Sequence, residues 1–114
     1  MQREYKLYLE DILASISKIS KYIDVMSFEE FSTHSLVQDA VVRNLGIIGE
    51  ASRNIPDKIR EMKENIDWRK MTRLRDIITT TNFTTNLDIV WEIISDRIPE
   101  LEKAVKEILN HIDN

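Results

Sequence analysis

The chain has 114 residues, enough for one hydrophobic core and too few for two ordinary ones, so a single domain over residues 1–114 is expected. Two Gly and two Pro are too few turn formers for a many-stranded β-fold, and the absence of Cys excludes a disulfide framework, a thiol nucleophile and a thiolate metal site. A net charge of −4 opposes diffuse nucleic-acid binding, so any phosphate contact has to be local and no DNA binding is expected.

The first residues, MQREYKLYLE, are charged at Arg3, Glu4 and Lys6 and lack the apolar run of a signal peptide. No later segment approaches the roughly 18 apolar residues of a membrane span, so a soluble, cytoplasmic protein is expected. Over residues 3 to 24, Tyr5, Leu9, Ile12, Ile16, Ile19 and Ile23 recur at steps of four and three, which predicts an amphipathic helix. Two capping boxes follow in the connection, Ser27 with Glu30 and Ser35 with Gln38, each marking a helix start.

A second long helix is predicted from Ser35 to about Arg53, with Val37, Val41, Leu45 and Ile48 on one side and Ala40, Ile47 and Ala51 widening the stripe. Gly46 and Gly49 each cost about 1 kcal/mol relative to Ala inside a helix, which implies a close helix contact there. Pro56 suits the first position of a short helix through Met62, and Asn65 or Asp67 suits the cap of the helix that contains Trp68. Asn86 is placed to cap a last helix carrying Leu87, Val90, Trp91, Ile94, Ile98, Leu101, Val105, Ile108 and Ile112, which Pro99 must kink or restart. The organisation predicted is an all-α antiparallel bundle of four to five helices. Its long last stripe and two Trp suggest a homodimer that shares part of the core.

Candidate chemistry gathers between Trp68 and Trp91. Arg69, Lys70, Arg73 and Arg75 put four cations in seven residues, and the β-branched run from Ile77 to Thr81 then lowers helix propensity. On a helix, Arg75, Thr79 and Asn82 would share one face, with Asp76 and Thr80 on the adjacent strip, and these groups suit a polar cleft that binds a phosphate backbone. The plainer alternative is a solvated helix end in which Asp76 pairs with Arg73 or Arg75. None of these side chains is a competent general base near pH 7. His34 and His111 read as surface residues, Glu29 with Glu30 and Glu61 with Glu64 as solvating carboxylates, and no set of ligands has metal spacing, so no metal or cofactor is expected.

Four segments together, KLYLEDILASISKI, QDAVVRNLGIIGEASRNIP, DWRKMTRLRD and LDIVWEIISDRIPEL, resemble the HepT family in order and spacing. Its members are ribonuclease toxins of the HEPN superfamily, encoded beside MntA-type minimal nucleotidyltransferase antitoxins. The resemblance implies a HEPN-like helical homodimer that cleaves RNA, of transfer-RNA class, without a metal. The family's active segment reads Arg, a polar residue, three mostly apolar residues, His, any residue, Tyr. On this chain Arg75 takes the arginine place, Asp76 the polar one, Thr80 the histidine place and Asn82 the tyrosine place.

In the family the His acts on the proton of the ribose 2′-hydroxyl or of the leaving oxygen, the Arg steadies the phosphate, and the partner attaches AMP to the Tyr. With Thr80 and Asn82 there instead, the resemblance implies a weakened or inactive nuclease with Arg75 and Asp76 as surviving site residues. The cation cluster and the polar helix face lead to RNA contacts expected at Arg69, Lys70, Arg73 and Thr79, and the resemblance implies no modifiable hydroxyl at position 82. The competing readings are a non-catalytic homodimeric module that docks a nucleotidyltransferase or RNA, and a purely structural helical dimer.

Overall fold

The structure is a computed structural model, and it describes residues 4–76 and 86–113. Helix α1 (Tyr5–Ile23) buries Leu9, Ile12, Ile16 and Ile19 on the stripe that the four-three spacing predicted. It ends at Asp24, whose φ of 25° turns the chain while its N–H donates to the Ser20 carbonyl. Helix α2 (Phe28–Ser32) opens on the predicted capping box: Glu30 N–H donates to Ser27 Oγ at 3.1 Å, and Ser27 N–H donates to Glu30 Oε1 at 3.0 Å.

The second predicted box does not form. Ser35 is already the first residue of α3 (Ser35–Arg53), and the cap is His34, whose Nδ1 accepts from Val37 N–H at 3.3 Å. Gln38 instead turns inward, and its Nε2 donates to the Phe31 carbonyl at 2.8 Å. That carbonyl lies at the end of α2, where helical partners run out, so a buried donor there is worth more than a redundant cap.

Helix α3 lies along α1 and carries α2 and the Trp68 helix on its remaining inner sides. Its buried residues include Val41, Leu45, Ile48 and Ala51, whereas Ile47, expected to widen that stripe, is 37% exposed. The two glycines part company. A Cβ on Gly49 would lie 3.3 Å from the Met71 carbonyl oxygen, 3.4 Å from Arg75 N and 3.5 Å from Leu74 Cβ, so the expected close contact is present there. A Cβ on Gly46 would meet nothing within 4 Å among the described residues. Packing among the described residues therefore explains Gly49 and not Gly46.

Pro56 is extended at ψ 150° and caps α4 (Asp57–Arg60) rather than opening it, its carbonyl accepting from Ile59 and Arg60 N–H. A 3₁₀ turn over Glu61–Lys63 follows, and Lys63 Nζ donates to Glu107 Oε2 on the last helix. Asp67 then caps α5 (Trp68–Thr72) by accepting from Lys70 N–H at 3.0 Å.

The last stretch begins as α6 (Leu87–Glu92), widens through a π turn over Ile93–Arg97, and continues as α7 (Ile98–Asp113). Asn86 occupies the cap position without a side-chain capping bond. Pro99 can neither donate to the carbonyl four residues back nor clear it sterically. The chain accommodates this with the π turn just ahead, where Ile98 N–H reaches the Ile93 carbonyl five residues back.

Trp68 is buried within the chain and Trp91 is partly buried. Trp68 is 7% exposed, and Trp91 packs against the rings of Phe28 and Phe31 at centroid distances of 5.9 and 5.1 Å. The architecture is all-α, and among the described residues no helix is long and apolar enough to cross a membrane.

Two tests follow from this packing. Replacing Gly49 by Leu should lower stability by about 1–3 kcal/mol through overpacking, while the same substitution at Gly46 should not, as read from urea unfolding midpoints in dilute solution. The Glu107 carboxyl is held below its ordinary value by the hydrogen bond from Lys63 and then by that ammonium's charge. A depressed folded-state pKa stabilises above the unfolded value and loses its effect as pH falls through the folded one. Glu107→Gln should therefore unfold with a shallower dependence on acid below the ordinary carboxylate range.

Candidate nucleic-acid interface

The basic segment is positioned from its apolar side. Trp68, Met71 and Leu74 recur every third residue and are buried, which leaves Arg69, Arg73 and Arg75 exposed and Lys70 half-buried on the outside. Trp68 also fixes the segment by hydrogen bonding, its Nε1–H shared between the Arg60 carbonyl at 3.1 Å and the Lys63 carbonyl at 3.0 Å. Residues 74–76 are helical and rest against α3 at Gly49. The lack of a side chain at Gly49 thus sets how closely the Arg75 backbone approaches α3.

Asp67, Arg69, Lys70 and Arg73 line one open groove, three cations with the capping carboxylate at its edge. Arg75 stands beyond it on the exposed side of the same segment. Asp76 has a partner that the plainer alternative did not name. Its Oδ2 accepts from Arg53 Nη2 at 3.3 Å, and Arg53 Nε donates to the Thr72 carbonyl at 3.1 Å. Arg53 thereby ties the end of α3 to both α5 and Asp76.

That contact spans 23 residues of sequence, and no local spacing announces it. Arg53 is the member of this surface that reading the sequence missed; its place in the last turn of α3 was the one available signal. Both side chains are about half exposed, so the pair contributes little to stability and more to orientation. Thr79, Thr80 and Asn82 lie outside the described residues.

The two imidazoles are elsewhere. His34 caps α3 some 15 residues before Gly49, about 22 Å along the helix at 1.5 Å per residue. His111 lines a separate groove with Met62, Lys63, Glu107 and Asn110. The described surface can therefore hold an anionic backbone through its guanidinium groups and one ammonium, but it presents no imidazole beside them.

Comparison with known proteins places the chain in a family. The family model described as ribonuclease HepT-like matches residues 12–108. The chain belongs to the HepT-like ribonuclease family. A Thermococcus cleftensis protein named probable ribonuclease HepT is 38% identical over 108 residues, covering 95% of this chain and 98% of that protein. A provisionally named RNase of Caldanaerobacter subterraneus subsp. tengcongensis is 41% identical over 102 residues, covering 90% of this chain and 91% of its own length.

A longer relative from Methanocaldococcus jannaschii, named for a gamma-glutamylcyclotransferase and an RNase, is 35% identical over 113 residues. The match takes in 99% of this chain and 51% of that protein, so the chain spans about half its length. No solved structure matches significantly. The range of the HepT-like match includes the basic segment and positions 80 and 82.

Asp67 is both a cap and the negative charge of the groove, and two substitutions should separate these roles. Asp67→Ala should cost about 1 kcal/mol through loss of the cap, whereas Asp67→Asn keeps the cap and should leave the urea midpoint nearly unchanged. Both should strengthen retention of RNA at low salt, measured by filter binding.

Proposed function

We propose that this HepT-like chain binds RNA of transfer-RNA class on the surface formed by Arg69, Lys70, Arg73 and Arg75 and has lost efficient cleavage. Asp76 keeps the polar place of the active segment, Thr79 is an added backbone contact, and the working form is a homodimer whose protein partner is an MntA-type nucleotidyltransferase. The observation that carries the reading is the HepT-like match over residues 12–108, which takes in an exposed Arg75 and a Thr at position 80. On the family resemblance Arg75 takes the arginine place and Thr80 replaces the histidine.

The chemistry explains why that replacement matters more than any other. Metal-independent cleavage needs a group that takes the 2′-hydroxyl proton or protonates the leaving oxygen near pH 7, and a threonine hydroxyl does neither. Arginine stays charged throughout this range, so it steadies phosphate without moving a proton. Neither His34 nor His111 stands beside the basic segment to substitute. Asn82 lacks the phenol that the partner would modify, which is of no consequence for a protein that does not cut.

The test is to incubate the purified protein and a Thr80→His, Asn82→Tyr variant with transfer RNA and compare cleavage rates. The restored variant should be faster by about 100-fold to 10,000-fold, the range of general acid–base assistance, and equal rates would overturn the loss of activity. Arg75→Ala should weaken RNA retention and lower the salt slope by about one. If neither protein binds nor cuts RNA, the chain acts instead as a module that docks a protein partner.

A further inference from the structure

Both ends of the basic segment are tied to the last turn of α3. At the near end, Arg60 Nη2 donates to the Ser52 carbonyl at 2.8 Å, and the Arg60 carbonyl is one of the two that accept from Trp68 Nε1. At the far end, Arg53 reaches across a break in the chain. Helix α5 stops at Thr72, Arg73 takes φ −101° and ψ 6°, and helical structure resumes over residues 74–76. Arg53 Nε donates to the Thr72 carbonyl before the break, and Arg53 Nη2 donates to Asp76 Oδ2 after it, at 3.1 and 3.3 Å. The turn that carries Arg53 is itself secured. Its Glu50 carbonyl accepts from Asn54 Nδ2 at 2.9 Å and its Ser52 carbonyl from Arg60, in a part of the helix where backbone N–H partners run out.

We propose that Arg53 is the positioning residue of the basic surface: it holds residues 74–76 against α3, and so sets where Arg75 stands relative to the groove of Arg69, Lys70 and Arg73, without itself binding the phosphate. This rests on the RNA-binding reading above and assigns a role to a residue outside the family's active segment. Gly49 and Arg53 are four residues apart on α3, about 6 Å along the axis at 1.5 Å per residue, and therefore on one face. Gly49 admits the backbone of the segment, with Arg75 N 3.4 Å from where a Cβ would stand, and Arg53 grips the same stretch one turn further on.

The chemistry of the side chain suits the task. A guanidinium is a rigid planar fork whose Nε–H and Nη–H can serve two acceptors at once, a geometry that a lysine ammonium on its flexible stem does not reproduce. With Nε and Nη2 committed to protein acceptors, and its charge met by the Asp76 carboxylate, Arg53 is arranged to hold its neighbours rather than a ligand. Asp76 gains a role by the same argument. Its negative charge beside Arg75 opposes phosphate by electrostatics alone, but it is also the acceptor through which Arg53 holds that turn.

The test is retention of transfer RNA by filter binding over a salt series. Arg53→Ala should weaken retention by about fivefold or more, because a misplaced Arg75 must be ordered on binding. Arg53→Lys, which keeps the charge and loses the fork, should weaken it nearly as much. Asp76→Ala should also weaken it, although it deletes a negative charge, and Asp76→Asn, which still offers Arg53 an oxygen, should weaken it less. The deciding comparison is a cycle with Arg75→Ala. A residue that acts through Arg75 matters little once Arg75 is gone, so the double variant should match Arg75→Ala in both affinity and salt slope. Losses that add, with the salt slope falling by about one for each arginine, would make Arg53 a phosphate contact and overturn the proposal. Full retention by Arg53→Lys, or tighter binding by Asp76→Ala, would overturn it as well.

Amide hydrogen exchange at residues 73–76, measured by NMR without RNA, separates the brace from the binding reading. Protection there should fall in Arg53→Ala and Arg53→Lys while the urea midpoint stays nearly unchanged, since both partners of the pair are about half exposed. Unchanged protection would overturn the brace. An unaltered chain that retains no RNA removes the binding reading, and the exchange measurement then decides the brace by itself.

Discussion

The close approach of α3 to residues 71–75 at Gly49 is the constraint on which the candidate surface depends. Any side chain there would push against a backbone carbonyl and a backbone nitrogen, neither of which can swing aside as a flexible side chain would. The contact sets the distance between the central helix and the basic segment. Trp68, held by two carbonyls from the preceding turns, sets the segment's other end. Between these two fixed points the period of buried residues leaves the arginines facing outward. The positioning is therefore rigid and apolar in origin, although what it positions is charge.

That arrangement accounts for local basicity in an acidic chain. With 20 acidic and 16 basic residues the overall field repels phosphate, and a useful contact depends on cations gathered within one short segment. Arg53 adds to the cluster from another helix, while Asp67 and Asp76 temper it as cap and pairing partner. Binding and proton transfer are separate requirements, carried by different residue types. Arginine holds a phosphate without moving a proton, so the two capacities can be kept or lost separately.

Much of the fold was legible because helix signals are local. The four-three stripes of α1, α3 and the last helix, the Ser27 capping box and the Asp67 cap each follow from residues within a turn or two of one another. The readings that failed did so for tertiary reasons. Ser35 and Gln38 have the pattern of a capping box, but the Phe31 carbonyl across the connection was a better partner for the buried Gln38 amide. Pro56 was misplaced by one position, since an extended proline that accepts two helical N–H groups reads in sequence like a first helical residue. Of the candidate site, the arginines and Asp76 were legible as a run. The Arg53 contact was not, because it joins residues 23 apart that meet only when α3 and α5 have packed.

The two glycines of α3 divide what each source decides. The sequence by itself established a helical protein, its helix faces and its HepT-like relationship, because periodicity, caps and residue identity are properties of the chain alone. It could say of Gly46 and Gly49 only that each is costly in a helix. The tertiary structure decided that Gly49 admits the backbone of the basic segment and that Gly46 faces outward, since the space around a missing side chain is defined by elements distant in sequence.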